Sequence, residues 1–261
     1  MPRFEVFCPA APPALAADVT LRIEAEHWLA ALKAGLLKVG GPQPAAHVLC
    51  DVQADGSIHV SDPRGGGVFR IQELGAERAA EVVPAAAAPG RIGGPPRPPS
   101  AEDVLAELFD RVAELAGQRD RSAALGFLLH LAMEKVDAEA GSVFSARLGG
   151  RELELAVARG PRAKELLALR VAVPVGVGIV GFCAQEDVCL AISDAEKDPR
   201  FHRAVSDAIG YETRSLLCAP IAQKGQVLGA LEVLNKRGGR PFDAADLAVL
   251  SYLAHQATMV L

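Results

Sequence analysis

Apolar positions along this chain change period several times, and each change marks an element. FEVFC and VTLRIEA open the sequence as short alternating runs, the second placing Val19, Leu21 and Ile23 on one face of a half-buried strand. Trp28, Leu29, Leu32, Leu36 and Val39 then recur at three and four residues, the spacing of one helical face, and Gly40, Gly41 and Pro42 supply the stop. HVLCDVQ, SIHVSD and VFRIQEL follow as a three-strand meander with Asp55-Gly56 at its first turn. Residues 1–78 are thus predicted as a small α+β module.

The periodicity stops at Ala79. From there to Pro99 the chain reads AAEVVPAAAAPGRIGGPPRPP, in which proline removes backbone donors while alanine and glycine offer little to a core. This is predicted as a linker. Before it, the order of two strands, a helix and three strands suggests a β-grasp layout. After it, residues 100–261 are patterned again. Ser100 with Asp103 makes a helix start, and Leu105, Leu108, Val112 and Leu115 follow at helical spacing. AALGFLLHLAMEKV is apolar nearly all round, as a buried helix would be. Six strand candidates come next, from SVFSARL to QVLGALEVLN. A last helix from Asp243 carries Leu247, Leu250, Ala254, Ala257 and Leu261. Each terminal stripe suits its own sheet, and a stripe at both ends favours a homodimer formed through the terminal helices.

Composition narrows the function. Half of the 261 residues are hydrophobic, enough for a real core, and the net charge of −5 is spread thinly. No run of Lys and Arg suits a phosphate backbone or an anionic membrane, so neither nucleic acid nor membrane is an expected partner. Pro9, Pro12 and Pro13 interrupt the start, and no segment approaches the roughly 18 uncharged residues of a membrane span. Cys8, Cys50, Cys183, Cys189 and Cys218 include no C-x-x-C pair, so they are expected as reduced core residues in a cytoplasmic protein.

Candidate chemistry is sparse. Gly176, Gly178 and Gly181 keep the G-x-G-x-x-G spacing, but only about two helical turns separate them from the next strand, where a dinucleotide site needs a full crossover helix. They read as a tight strand-to-helix turn. The six histidines are scattered without metal-ligand spacing, and no serine sits in a G-x-S-x-G turn. Acid pairs such as Glu152 with Glu154 suit a solvated face. No catalytic, metal or cofactor site is predicted, and the chain is not expected to be an enzyme. Asp198-Pro199-Arg200-Phe201 is predicted to begin a short helix with Phe201, Val205 and Ile209 on its buried side.

From GIVGFCAQEDVCLAISD through FHRAVSDAIGYETRSLLCAPI to GQVLGALEVLNKRGGRPFDAAD, the chain resembles the GAF domains of cyclic-nucleotide phosphodiesterases and bacterial signalling proteins. The resemblance covers about residues 101–261 and nothing before the linker. Its most specific part is N-K, a variable gap, then F-x-x-x-D-E, met here by Asn235, Lys236, Phe242 and Asp246, with Leu247 in place of the final glutamate. In the family that lysine and aspartate pair to brace the pocket. Asp243 and Asp246 also read as an N-cap and its third-position acid, and the two roles are compatible.

The resemblance implies an α+β fold with a six-stranded antiparallel sheet flanked by helices, and a ligand pocket between the sheet and the short helices. It places Ser142, Phe144, Ile179, Gly181, Asp194, Phe201, Thr213 and Glu232 at that pocket. Thr213 and Glu232 are the groups suited to a purine edge, although no basic residue stands on the pocket strands for a cyclic nucleotide. The implied function is a signalling protein that senses a small molecule or dimerises. Its output is expected through an unknown protein partner or the N-terminal module. The alternative is a degenerate scaffold whose pocket is filled by side chains such as Val180 and Phe182. The cysteine positions fit neither the bilin-binding nor the methionine sulfoxide reductase subclass.

Overall fold

The computed structural model describes residues 1–10, 15–40, 47–61, 67–75, 101–113, 115, 120–147 and 149–261. The predicted linker and the helix start at Ser100 lie outside them. In the N-terminal module, β1 (Arg3–Cys8) and β2 (Val19–Glu24) form a hairpin, α1 (Trp28–Val39) crosses over, and β3 (His47–Val52), β4 (Ile58–Ser61) and β5 (Val68–Leu74) form the meander. His27 caps α1, its Nδ1 accepting the Ala30 N–H at 3.2 Å. Gly40 ends the helix with a φ of 68°, a left-handed turn that glycine adopts without strain.

The strands lie in the order β2-β1-β5-β4-β3, each antiparallel to its neighbour. This departs from the β-grasp layout, in which the first and last strands run parallel. Two hairpins after the crossover return β5 to the direction of β2, so β5 opposes β1 and pairs Val6 with Ile71.

The C-terminal unit starts with α2 (Ala101–Val112) and α3 (Arg121–Lys135), then β6 (Ala138–Ala146) and β7 (Glu152–Arg159). It continues with α4 (Ala163–Ala168), β8 (Ala172–Pro174), α5 (Gly178–Glu186), β9 (Cys189–Ile192) and α6 (Arg203–Ile209). β10 (Leu216–Gln223), β11 (Gln226–Lys236) and α7 (Ala244–Ala257) complete it. Its six strands take the order β9-β10-β11-β6-β7-β8, all antiparallel, as expected. The unexpected feature is the junction. β3 runs parallel to β9, from His47 opposite Cys189 to Cys50 opposite Ile192, so both modules share one eleven-stranded sheet.

That sheet has two unlike faces. One carries a core that runs without a break from α1 (Leu29, Leu32) to α5 (Phe182, Cys183), with Val48, Cys50, Leu190 and Ile192 beneath the junction. The other face of the C-terminal half is covered by α2, α3 and α7. Strand alternation explains the division, because successive side chains leave a strand on opposite faces. Leu247, Leu250, Ala254 and Ala257 of α7 are at most 2% exposed and pack on the protein's own sheet, as does Leu108 of α2. Leu108, Val112 and the α7 positions therefore pack into this chain's own core. Phe109 and Met259 remain outside at 70% exposure, Phe109 stacked on Tyr252.

Candidate functional site

Between the sheet and the segments α4 to α6 lies a cavity of about 380 Å³. Its floor is Ser142, Phe144 and Glu232 on the neighbouring strands β6 and β11, where Ser142 stands directly opposite Glu232. Leu166, Leu169, Val173, Ile179, Val205 and Ile209 make apolar walls, and Thr213, Ser206 and Tyr211 add hydroxyls. Arg170 and His202 stand at the solvent-exposed end. A strand side chain facing a helix-covered surface would ordinarily be apolar, so Glu232 is the anomaly. Burial pushes its carboxyl up to about 7, against the pull of the Ser142 hydroxyl, which donates to Oε2 at 2.9 Å. Near neutral pH this group passes between an acid that donates and a carboxylate that accepts.

The turn into α5 fixes one wall. Gly176 and Gly178 have φ of 89° and 67°, and the Gly176 N–H donates to the Gly181 carbonyl at 2.8 Å. A Cβ on Gly181 would meet the Pro174 carbonyl oxygen at 2.3 Å, so only glycine lets α5 lie this close to β8. The three glycines thus serve a tight strand-to-helix turn before a nine-residue helix, as their short following segment predicts.

Below the cavity a polar brace joins β11 to its surroundings. Asn235, 1% exposed and with φ of 56°, accepts from the Arg214 and Ser215 N–H groups through Oδ1. Its amide donates to the Glu212 carbonyl at 2.8 Å and to the Tyr211 hydroxyl at 3.1 Å. Burial, with Glu139 beside it, raises that phenol to about 12. The Lys236 ammonium donates to Asp246, which also accepts the Asp243 N–H at 2.8 Å, closing a capping box at the start of α7. Burial raises the Asp246 carboxyl and Lys236 draws it back, leaving it above its ordinary value. Both roles foreseen for Asp246 are therefore present, and Phe242 is buried beside them. Leu247, where the motif has glutamate, is fully buried in the α7 core, an apolar site at which an acid would go unpaired.

The family model of the GAF domain matches residues 100–261. The chain belongs to the GAF domain family. A stretch of 84 residues is 34% identical to the cGMP-specific 3',5'-cyclic phosphodiesterase of Drosophila melanogaster, and 90 residues are 35% identical to that of Drosophila mojavensis. These stretches are 31% and 34% of this chain but only 8% of each phosphodiesterase. Among solved structures, the GAF domain of a Coxiella burnetii phosphoenolpyruvate-protein phosphotransferase superposes with a TM-score of 0.54 at 22% identity. It covers 62% of this chain and 94% of that one. The corresponding Acinetobacter domain gives 0.51 at 20% identity, covering 60% and 91%. These likenesses support the fold.

Within the GAF domain, the structure brings Ser142, Phe144, Ile179, Phe201, Thr213 and Glu232 to one cavity. Two predicted pocket residues lie elsewhere. Gly181 is turned to the Pro174 backbone. Asp194 precedes a 3-10 turn and pairs with Lys197 at 2.9 Å outside the lining, because β9 has already ended at Ile192. Phe182, expected as a possible filler, points away from the cavity and stacks on Trp28 at 6.1 Å. The helix expected from Pro199 starts instead at Arg203. The Asp198 carboxylate accepts the Arg200 N–H at 2.9 Å and grips its guanidinium, a side-chain turn that competes with helix initiation. Sequence reading missed α4 and with it Leu166 and Leu169, because AKELLA is too short for a periodic signal. Its trace was the Arg162–Glu165 pair at i,i+3.

Proposed function

We propose that this chain is a non-catalytic signalling protein whose GAF domain senses a small molecule that offers N–H donors to Glu232. The observation that carries this reading is an open 380 Å³ cavity in which Glu232 is, among the described residues, the one acid on a lining that is mostly apolar, with hydroxyls from Ser142, Ser206, Tyr211 and Thr213. That volume lies in the range of small-molecule sites. A donor edge, such as the amino and ring N–H groups of a purine, would hold Glu232 ionised and satisfy it. Arg170 at the mouth supplies a cation and His202 a ring N–H that a phosphate would meet, so cGMP, the nucleotide named for the matched phosphodiesterases, is the first ligand to try.

Phe109 and Met259 are exposed beside the half-buried Tyr252, an apolar patch suited to a second copy of the chain. Five free, buried cysteines suit a reducing cytoplasm. No helix among the described residues is long and apolar enough to cross a membrane.

The experiment is a thermal-shift and calorimetric screen of the purified chain against cyclic mononucleotides and dinucleotides, purines and amino acids. A stabilising ligand that loses affinity with Glu232→Gln and Thr213→Val supports sensing. Silence across the panel, together with a concentration-dependent dimer in ultracentrifugation, supports the scaffold alternative.

A further inference from the structure

Two segments of the cavity wall have a second side. α5 turns Ile179 and Val180 into the cavity, while Phe182 and Glu186 face the N-terminal module. There Glu186 binds Lys33 at 3.0 Å and His27 at 3.2 Å, and the His27 ring meets Phe182 edge-on. The segment after Asp198 is divided in the same way. Phe201 lines the cavity, and its neighbour Arg200 reaches in the other direction, 4.5 Å over the Phe182 ring and 5.2 Å over the Trp28 ring. Asp198 holds that guanidinium through Nε and Nη2 and accepts the Phe201 N–H at its own carbonyl at 3.0 Å, so one residue tethers both Arg200 and Phe201.

The docked arrangement is incomplete. Arg200 Nη1 and Trp28 Nε1 are buried without a hydrogen-bond partner among the described residues. Cation–ring contact offsets part of that loss, but an undocked arrangement would hydrate both donors. Two states of similar free energy are what a packed interface needs to act as a switch rather than deform gradually.

We propose that the N-terminal module is the reader of the cavity, and that an occupant displacing Phe201 or α5 lifts Arg200 from Trp28 and loosens α1 from α5. The pairing of β3 with β9 keeps the modules joined while this contact opens. The proposal rests on the cavity being a ligand site.

Trp28 is the chain's single tryptophan, so its fluorescence reports this contact alone. All five native cysteines are buried, which leaves an engineered thiol as the selective target. Ser206→Cys in the cavity wall, with Val205→Cys as a second position, is to be alkylated with N-ethylmaleimide and checked for one adduct by mass spectrometry. The adduct is expected to red-shift Trp28 emission and raise its quenching by acrylamide. The same adduct on the exposed Arg240→Cys should leave both unchanged. In an Arg200→Ala background, quenching should already be high and the cavity adduct should add nothing. A folded, singly labelled chain at either cavity position with unaltered Trp28 emission and quenching overturns the proposal. The adduct fills the cavity whatever the natural ligand, so failure of the ligand screen and failure of the coupling are separate results.

Discussion

Replacing Glu232 with glutamine isolates the most unusual group in the cavity. The carboxyl titrates at about 7 in the folded chain against 4.5 ordinarily. Between those values the unfolded chain has lost its proton and the folded chain has kept it. The folded state then binds more protons, so stability falls as pH rises through this window. Below it the group is protonated in both states, and above it the group is ionised in both, so the penalty becomes constant. At about 1.4 kcal/mol per pH unit the full penalty is about 3 kcal/mol, and water entering the cavity would lower it to about 2 kcal/mol. A Glu232→Gln chain keeps an oxygen to accept from Ser142 and has nothing to ionise. Urea denaturation of both proteins at pH 5, 6, 7 and 8 should find them close at pH 5. By pH 8 the glutamine variant should be ahead by about 2–3 kcal/mol. Every other titrating group cancels in the difference. A difference that stays constant to within about 0.5 kcal/mol from pH 5 to pH 8 refutes the assignment of a desolvated carboxyl.

Three other substitutions test neighbouring parts of the argument. Ser142→Ala removes the hydrogen bond that favours the ionised form of Glu232, so the same pH comparison should place the fall in stability at higher pH. Lys236→Ala leaves Asp246 buried with only the Asp243 N–H for company and should cost about 3 kcal/mol by urea denaturation, whereas changing the exposed Lys197 of the Asp194 pair should cost under about 0.5 kcal/mol. Gly181→Ala forces α5 away from the Pro174 carbonyl and should destabilise by about 3 kcal/mol, with loss of any ligand that depends on Ile179.

Much of the architecture was legible because it rests on local periodicity. The alternation of Val19, Leu21 and Ile23, the helical spacing from Trp28 to Leu36 and the six later strand runs each specify an element without reference to the rest of the chain. The motif of Asn235, Lys236, Phe242 and Asp246 implied a brace through its resemblance to the family, and the Asp243–Asp246 cap was legible from the helix start itself. Six of the eight pocket residues named from the family resemblance also reached one cavity. Strand register explains the floor, because Ser142 and Glu232 lie on neighbouring strands and point to the same face.

What the sequence could not determine is how the two modules meet. An edge strand is a row of unpaired donors and acceptors, and nothing in HVLCDV or VCLAIS says which edge will satisfy which. Only the tertiary structure decides that β3 joins β9 and that the two cores become one under α1 and α5. The same decision brings Trp28, Phe182 and Arg200 together from segments far apart in the chain. It also settles which way each terminal stripe faces, since the helical spacing of Leu247, Leu250 and Ala254 fits a sheet or a second helix equally well. Local pattern fixes which side of an element is apolar, and long-range packing alone chooses what that side touches.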